Sequence, residues 1–163
     1  MNLSVVDINA LIEDSVRAVA PEGERTGLRT APAAEELKVI LDRTQMGEGL
    51  STLLDSASLT LPKGEVVTIG TSFLPILHPA GNKDGEQFAG CALLYVDLGA
   101  PKAQELTVAY KKGFKKLFFA FRSVVRAVKK INGRARILTG RGSRGRLNIY
   151  LPLIDRSWSN PAS

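Results

Sequence analysis

Few residues in this 163-residue sequence could carry catalysis on their own. His78 is its one histidine and Cys91 its one cysteine. Neither a zinc site built from several His and Cys side chains nor a Cys/His nucleophile pair is supported by that inventory. His78 is followed by Pro79, which disfavours helix and marks a loop. Cys91 lies in the apolar run GCALLYV and reads as a buried, inert thiol with no internal disulfide partner. Gly140-Arg141-Gly142-Ser143-Arg144-Gly145 fits the GxGxxG spacing of a dinucleotide loop. Such a loop works when it opens a helix whose N-terminus meets the pyrophosphate. The residues that follow here, RLNIYLP, read as a strand, so a glycine-rich hairpin is expected.

Charge is the stronger signal. Residues 1–101 hold 7 Lys/Arg and 14 Asp/Glu, a net of −7, whereas residues 102–146 hold 14 Lys/Arg and a single acid, Glu105, a net of +13. A mildly acidic body therefore carries one strongly basic segment, which attracts anions: nucleotide phosphates, an acidic protein surface or nucleic acid. Lys115, Lys116, Arg122 and Arg126 supply the segment's helical part. Arg134 and Arg136 alternate on one face of a strand, and Arg141, Arg144 and Arg146 extend the patch, so one continuous basic surface is expected. The candidates for exposed aromatic rings that would favour a single-stranded nucleic acid are Phe119 and Tyr110. No window approaches the roughly 18 apolar residues of a membrane span, and the N-terminus lacks the basic start and apolar run of a signal peptide. These features favour the cytoplasm, without membrane contact by this chain.

The elements that must position these residues follow from periodicity. Val5 and Val6 suit a short strand. Asp7 or Asn9 then caps a helix to about Ala20, with Ile8, Leu11, Ile12, Val16 and Val19 on one face. Leu28–Thr30 and Leu37–Leu41 suit strands. Asp42 or Thr44 caps a second helix to about Leu59, striped by Met46, Leu50, Leu53, Leu54, Ala57 and Leu61. Strands at Glu65–Ser72 and Ala89–Val96 flank the polar loop HPAGNKDGEQ, with Phe73–Leu77 extending the first. A helix from about Lys115 ends at Asn132-Gly133 in a left-handed cap. Ala135–Thr139 and Arg146–Pro152 pair across the glycine-rich hairpin. The fold expected is an α+β two-layer sandwich, a mixed and mostly antiparallel sheet with three helices on one face. The domain covers residues 1–153, with a loose tail at 154–163.

The segments FRSVVRAVKKINGRARI and TGRGSRGRLNIYLPL, the latter ending Asn148-Ile149-Tyr150-Leu151-Pro152-Leu153, resemble the end of the catalytic, ATP-binding domain of two-component sensor histidine kinases. Upstream, VDINALIEDSVRAV resembles that family's opening strand and helix, STLLDSAS its NLLxNA box, and LLYVDLGAP its VxDxGxG box. The resemblance runs over roughly residues 4–153. It implies the Bergerat-type sandwich that these kinases share with a class of heat-shock chaperones, type II topoisomerases and mismatch-repair ATPases.

The resemblance also implies a site. Asp97 stands at the position that reads adenine, Gly99 at the glycine after it, and Ser56 at the position of the Asn that holds Mg²⁺ and thereby ATP. Three departures argue that ATP and Mg²⁺ bind weakly or not at all. A serine hydroxyl reaches less far than an amide oxygen. Pro101 replaces the box's second glycine. The family's second glycine box falls on Phe118-Phe119-Ala120-Phe121, whose rings are expected as core packing in the space of a phosphate cover. The function expected is therefore a histidine-kinase-type domain that docks or regulates. Its partner would be a dimerisation/phosphoacceptor domain or a response-regulator receiver domain, met through Lys115, Lys116, Arg122, Arg126, Arg134 and Arg136. The alternatives are an active domain that phosphorylates a His on a separate dimerisation domain, and a nucleic-acid-binding module using the basic face 102–146, the latter disfavoured.

Overall fold

The computed structural model describes residues 2–20, 27–60, 66–75, 90–98, 119–138 and 145–154. A short strand, β1 (Leu3–Asp7), leads directly into helix α1 (Ile8–Val19). Asp7 is the N-cap, its carboxylate accepting from the Asn9 backbone N–H at 3.1 Å. Asn9, the other candidate cap, does something else. Its side-chain amide donates to the Ala33 and Glu35 carbonyls, at 3.3 and 2.9 Å, and its oxygen accepts from the Thr71 hydroxyl. Thr71 in turn accepts from the Ala33 N–H at 2.8 Å. These bonds tie α1 to the chain between β2 (Leu28–Ala31) and β3 (Lys38–Asp42), and to β4 (Val67–Leu74).

Helix α2 (Arg43–Thr60) follows β3 without a loop. Asp42 supplies the cap, accepting from the backbone N–H of Gln45 and of Asn2, both at 3.1 Å. Those two bonds favour the ionised form and hold the Asp42 carboxyl below its ordinary pKa. Met46, Leu50, Leu53, Leu54 and Ala57 are all buried, as their spacing predicts; Leu61 lies outside the described residues. The described part of a third helix, α3, covers 119–129 and buries Ala120, Val124, Ala127 and Val128. α2 lies between the other two helices. A Cβ on Gly49 would come 3.0 Å from Val124 of α3, and one on Gly47 would rest 3.6 Å from Leu11 of α1. The end of α3 is a Schellman turn. Asn132 is left-handed (φ 60°), Gly133 N–H donates to the Val128 carbonyl at 2.9 Å, and Asn132 N–H donates to Lys129 at 3.3 Å.

Two sheets complete the fold. β1 and β3 form an antiparallel pair. The larger sheet adds β5 (Cys91–Asp97), β6 (Arg134–Leu138) and β7 (Arg146–Pro152) in the order β2-β4-β5-β7-β6. Its β2–β4 pair is parallel and the others are antiparallel. The result is a mixed, mostly antiparallel sheet with three helices on one face, as the sequence predicts. One continuous core joins Ile8, Leu11, Ile12 and Val16 of α1 to Leu50 and Leu54 of α2, Val124 and Val128 of α3, and Ile69, Leu94, Val96, Ile149 and Leu151 of the sheet. Burying each such side chain contributes about 1.5–3 kcal/mol. The hydrophilic stretch around His78, Gly99, Pro101 and the C-terminal tail beyond Ile154 lie outside the described residues.

Candidate functional site

Period-two alternation in β5 decides which side chains reach the helix layer. The Thr71–Asn9 bond shows that Thr71 of β4 points toward α1. Thr71 pairs with Leu94, and Ile69 with Val96. Ala92, Leu94 and Val96 are accordingly buried on the helix side, at most 1% exposed. Leu98, next in that phase, packs against the same core. Its backbone N–H donates to the Gly145 carbonyl at 2.8 Å.

Asp97 belongs to the other phase. It pairs with Thr68 on one side and Arg146 on the other, one step beyond the Gly70–Tyr95–Asn148 row. The register therefore assigns Asp97 to the outer face of the sheet, away from the helices. Ser56 is buried within α2, at 7% exposure, in the helix layer. Asp97 and Ser56 thus belong to opposite sides of the sheet. Alternation in LLYVDLG, with Leu94, Val96 and Leu98 in one row, is the sequence signal for this.

The aromatic run divides as well. Phe121 packs against the core, but Phe119 is 65% exposed. Its place in the first described turn of α3, one residue before the buried Ala120, turns it to solvent, so the expectation of core packing does not hold for that ring. Phe118 lies outside the described residues, as do Lys115 and Lys116.

The described arginines of the basic segment occupy two faces. Arg122 and Arg126 are exposed on α3, in the helix layer. Arg134 and Arg136 are exposed on β6, paired with Tyr150 and Asn148 and so on the outer face of the sheet. There Arg146 stacks on the Tyr95 ring, its guanidinium carbon 4.1 Å from the ring centroid. Its Nε–H donates to Asn148 Oδ1 at 2.9 Å, and the Asn148 amide donates to the Tyr150 hydroxyl at 3.4 Å. The Tyr95 ring lies over Gly70, where a Cβ would come within 2.4 Å of it. This arrangement fixes a guanidinium through its ring contact and its Nε, and leaves its forked η nitrogens suited to a carboxylate or phosphate. The Tyr95 platform and the Asn148 bond carry no motif; strand pairing alone assembles them.

Three other features bear on chemistry. Burial raises the pKa of the Cys91 thiol, which suits an inert side chain. β7 begins directly after Gly145, so a strand, not a helix, follows the GxGxxG spacing. An open groove of about 550 Å³ between α1 and α2, lined by Asp14, Ser15, Arg43, Glu48 and Thr52, holds the exposed Arg43–Asp14 ion pair at 2.7 Å. It lies apart from both Asp97 and the β6 arginines.

No family model and no curated protein matches this sequence. Solved structures do. The mycobacterial sensor histidine kinase MprB aligns with a TM-score of 0.60 at 19% identity, over 93% of this chain and 98% of its own. The histidine kinase domain of the E. coli osmosensor EnvZ aligns with a TM-score of 0.62 at 16% identity, over 98% and 95%. The catalytic domain of histidine kinase ThkA aligns with a TM-score of 0.54 at 15% identity, over 93% and 96%. The chain has the histidine-kinase catalytic-domain fold.

No group of three or more His, Cys, Asp or Glu is placed to hold a metal ion among the described residues. Ser56 brings one buried hydroxyl, and Leu98 packs against the core. No helix of the described residues is long and apolar enough to cross a membrane.

Proposed function

We propose that this chain is a histidine-kinase-type domain of a two-component signalling protein in which nucleotide binding is weak or lost and docking is retained. The observation that carries the reading is the phase of β5. Leu98 shares the row of Leu94 and Val96 against the core, and Asp97 shares the row of Tyr95 on the opposite face. An adenine amino group would meet a methyl-rich surface there, and leaving it unpaired costs about 1–3 kcal/mol.

Docking is supported by charge. Arg122 and Arg126 on the helix layer, and Arg134, Arg136 and Arg146 on the sheet, are electropositive groups on a body whose first 101 residues carry a net −7. A phosphoacceptor or receiver domain with an acidic surface suits them.

Titration calorimetry with a non-hydrolysable ATP analogue and Mg²⁺ tests the nucleotide half. The expected dissociation constant is about 1 mM or weaker. A value of about 10 μM or tighter, lost in Asp97→Asn, would restore the active-kinase reading.

A further inference from the structure

We propose that β6 is a sheet edge that accepts an extended acidic segment of a partner protein as an added strand, with Arg134 and Arg136 reading its carboxylates. The inference deepens the docking half of the proposed function and rests on it.

β6 ends the strand order of the larger sheet, and among the described residues it pairs with β7 alone. Among the described residues, no strand pairs with its other rim of backbone N–H and C=O groups, the kind of rim another chain can join. The two sides of that rim differ. On the outer face stand Arg134 and Arg136, both exposed. On the helix side Ile137 is 49% exposed, an apolar patch at the end of the core. An added strand that alternates acidic and apolar residues matches both sides at once. Its acids recur at a step of about 6.8 Å, the two-residue repeat of a strand, which is also the spacing of Arg134 and Arg136.

The charge balance favours this occupant. None of the described ion pairs includes Arg134, Arg136 or Arg146. Arg134 and Arg136, two residues apart on one strand, repel one another, a cost that an incoming row of carboxylates removes. Asp97, opposite Arg146, stands at the far end of the patch from Arg134.

The test is fluorescence polarisation of the whole chain with a labelled ten-residue peptide of alternating Asp and Val. A peptide of the same composition with the alternation scrambled is the control. The alternating peptide is expected to bind at least about tenfold more tightly, and Arg134→Glu with Arg136→Glu to erase that difference. If charge reversal unfolds the chain, Arg134→Gln with Arg136→Gln carries the same expectation. N-methylation of one alternate set of peptide nitrogens should abolish binding while methylation of the other set leaves it.

Equal binding of the scrambled peptide, or indifference to N-methylation, overturns strand addition. Random single-stranded DNA that binds more tightly, with the same arginine dependence, overturns the partner class in favour of nucleic acid. No binding of either probe overturns the proposal and leaves the arginines as charges that keep a sheet edge from pairing. Failure of the peptide would leave the nucleotide calorimetry standing, and tight ATP binding would sink the nucleotide reading without altering peptide affinity.

Discussion

The two faces of the five-stranded sheet are built to different rules. The helix-side face is a row of side chains that are close to fully buried: Ile69, Leu94, Val96, Ile149 and Leu151. The outer face carries Arg134, Arg136, Arg146, Tyr95 and Tyr150, partly or fully exposed, around a buried Asn148. In a fold that binds a ligand between helices and sheet, polar chemistry belongs on the first face. Here the first face reads as core, and the polar and charged groups stand on the second. The difference teaches that the phase of one strand sorts neighbouring residues such as Asp97 and Leu98 onto opposite faces of the sheet.

Graded substitutions can break or sharpen that contrast. The largest effect is expected on the helix side. Ile149→Ala leaves a cavity at a fully buried position and should cost about 3 kcal/mol in denaturant unfolding. Gly70→Ala comes next. Its Cβ would press on the Tyr95 ring at 2.4 Å and on the Ala31 carbonyl at 2.8 Å, so a loss of about 2 kcal/mol is expected as the ring is displaced. Tyr95→Leu removes the platform under Arg146 and should cost about 1 kcal/mol, losing the cation–π contact and ring packing. Arg134→Ser with Arg136→Ser should leave stability within about 0.5 kcal/mol of the parent, since both residues are exposed and unpaired among the described residues. If the double arginine variant instead costs as much as Ile149→Ala, the outer face is structural and the contrast fails.

A pH series gives a reference outside both faces. Asp42 is held below its ordinary pKa by the Gln45 and Asn2 N–H groups. A depressed carboxyl stabilises the fold in full above its unfolded-state value, and that contribution is lost as the pH falls through the folded-state value. Asp42→Ala should therefore lower the unfolding midpoint at neutral pH. The gap to the parent should close on acidification below the ordinary carboxylate range.

Much of the architecture was legible beforehand because it depends on local pattern. Apolar residues at helical spacing located α1 and α2, and Asp7 and Asp42 were among the named caps. Asn132-Gly133 marked the end of α3, and the RLNIYLP run is β7 from end to end. The strands β4 and β5 were found with boundaries shifted by one to three residues, since fraying ends depend on pairing partners. The site was less legible. Resemblance to the kinase boxes drew attention to Asp97 and Ser56, but letters in a box carry no face. A shift of one residue in strand phase moves a side chain to the other side of the sheet.

The sequence by itself determined the helices, their caps, the apolar stripes and the strong charge of residues 102–146, because propensity, periodicity and composition act over a few neighbouring residues. Tertiary structure alone decided that Asp97 joins the Arg146 row, that Leu98 faces the core, and that Arg122 and Arg126 stand on a different face from Arg134 and Arg136. Those outcomes depend on pairings between residues tens of positions apart, such as Leu94 with Thr71 and with Ile149. No local pattern specifies which side of a sheet such a pairing will turn toward the helices.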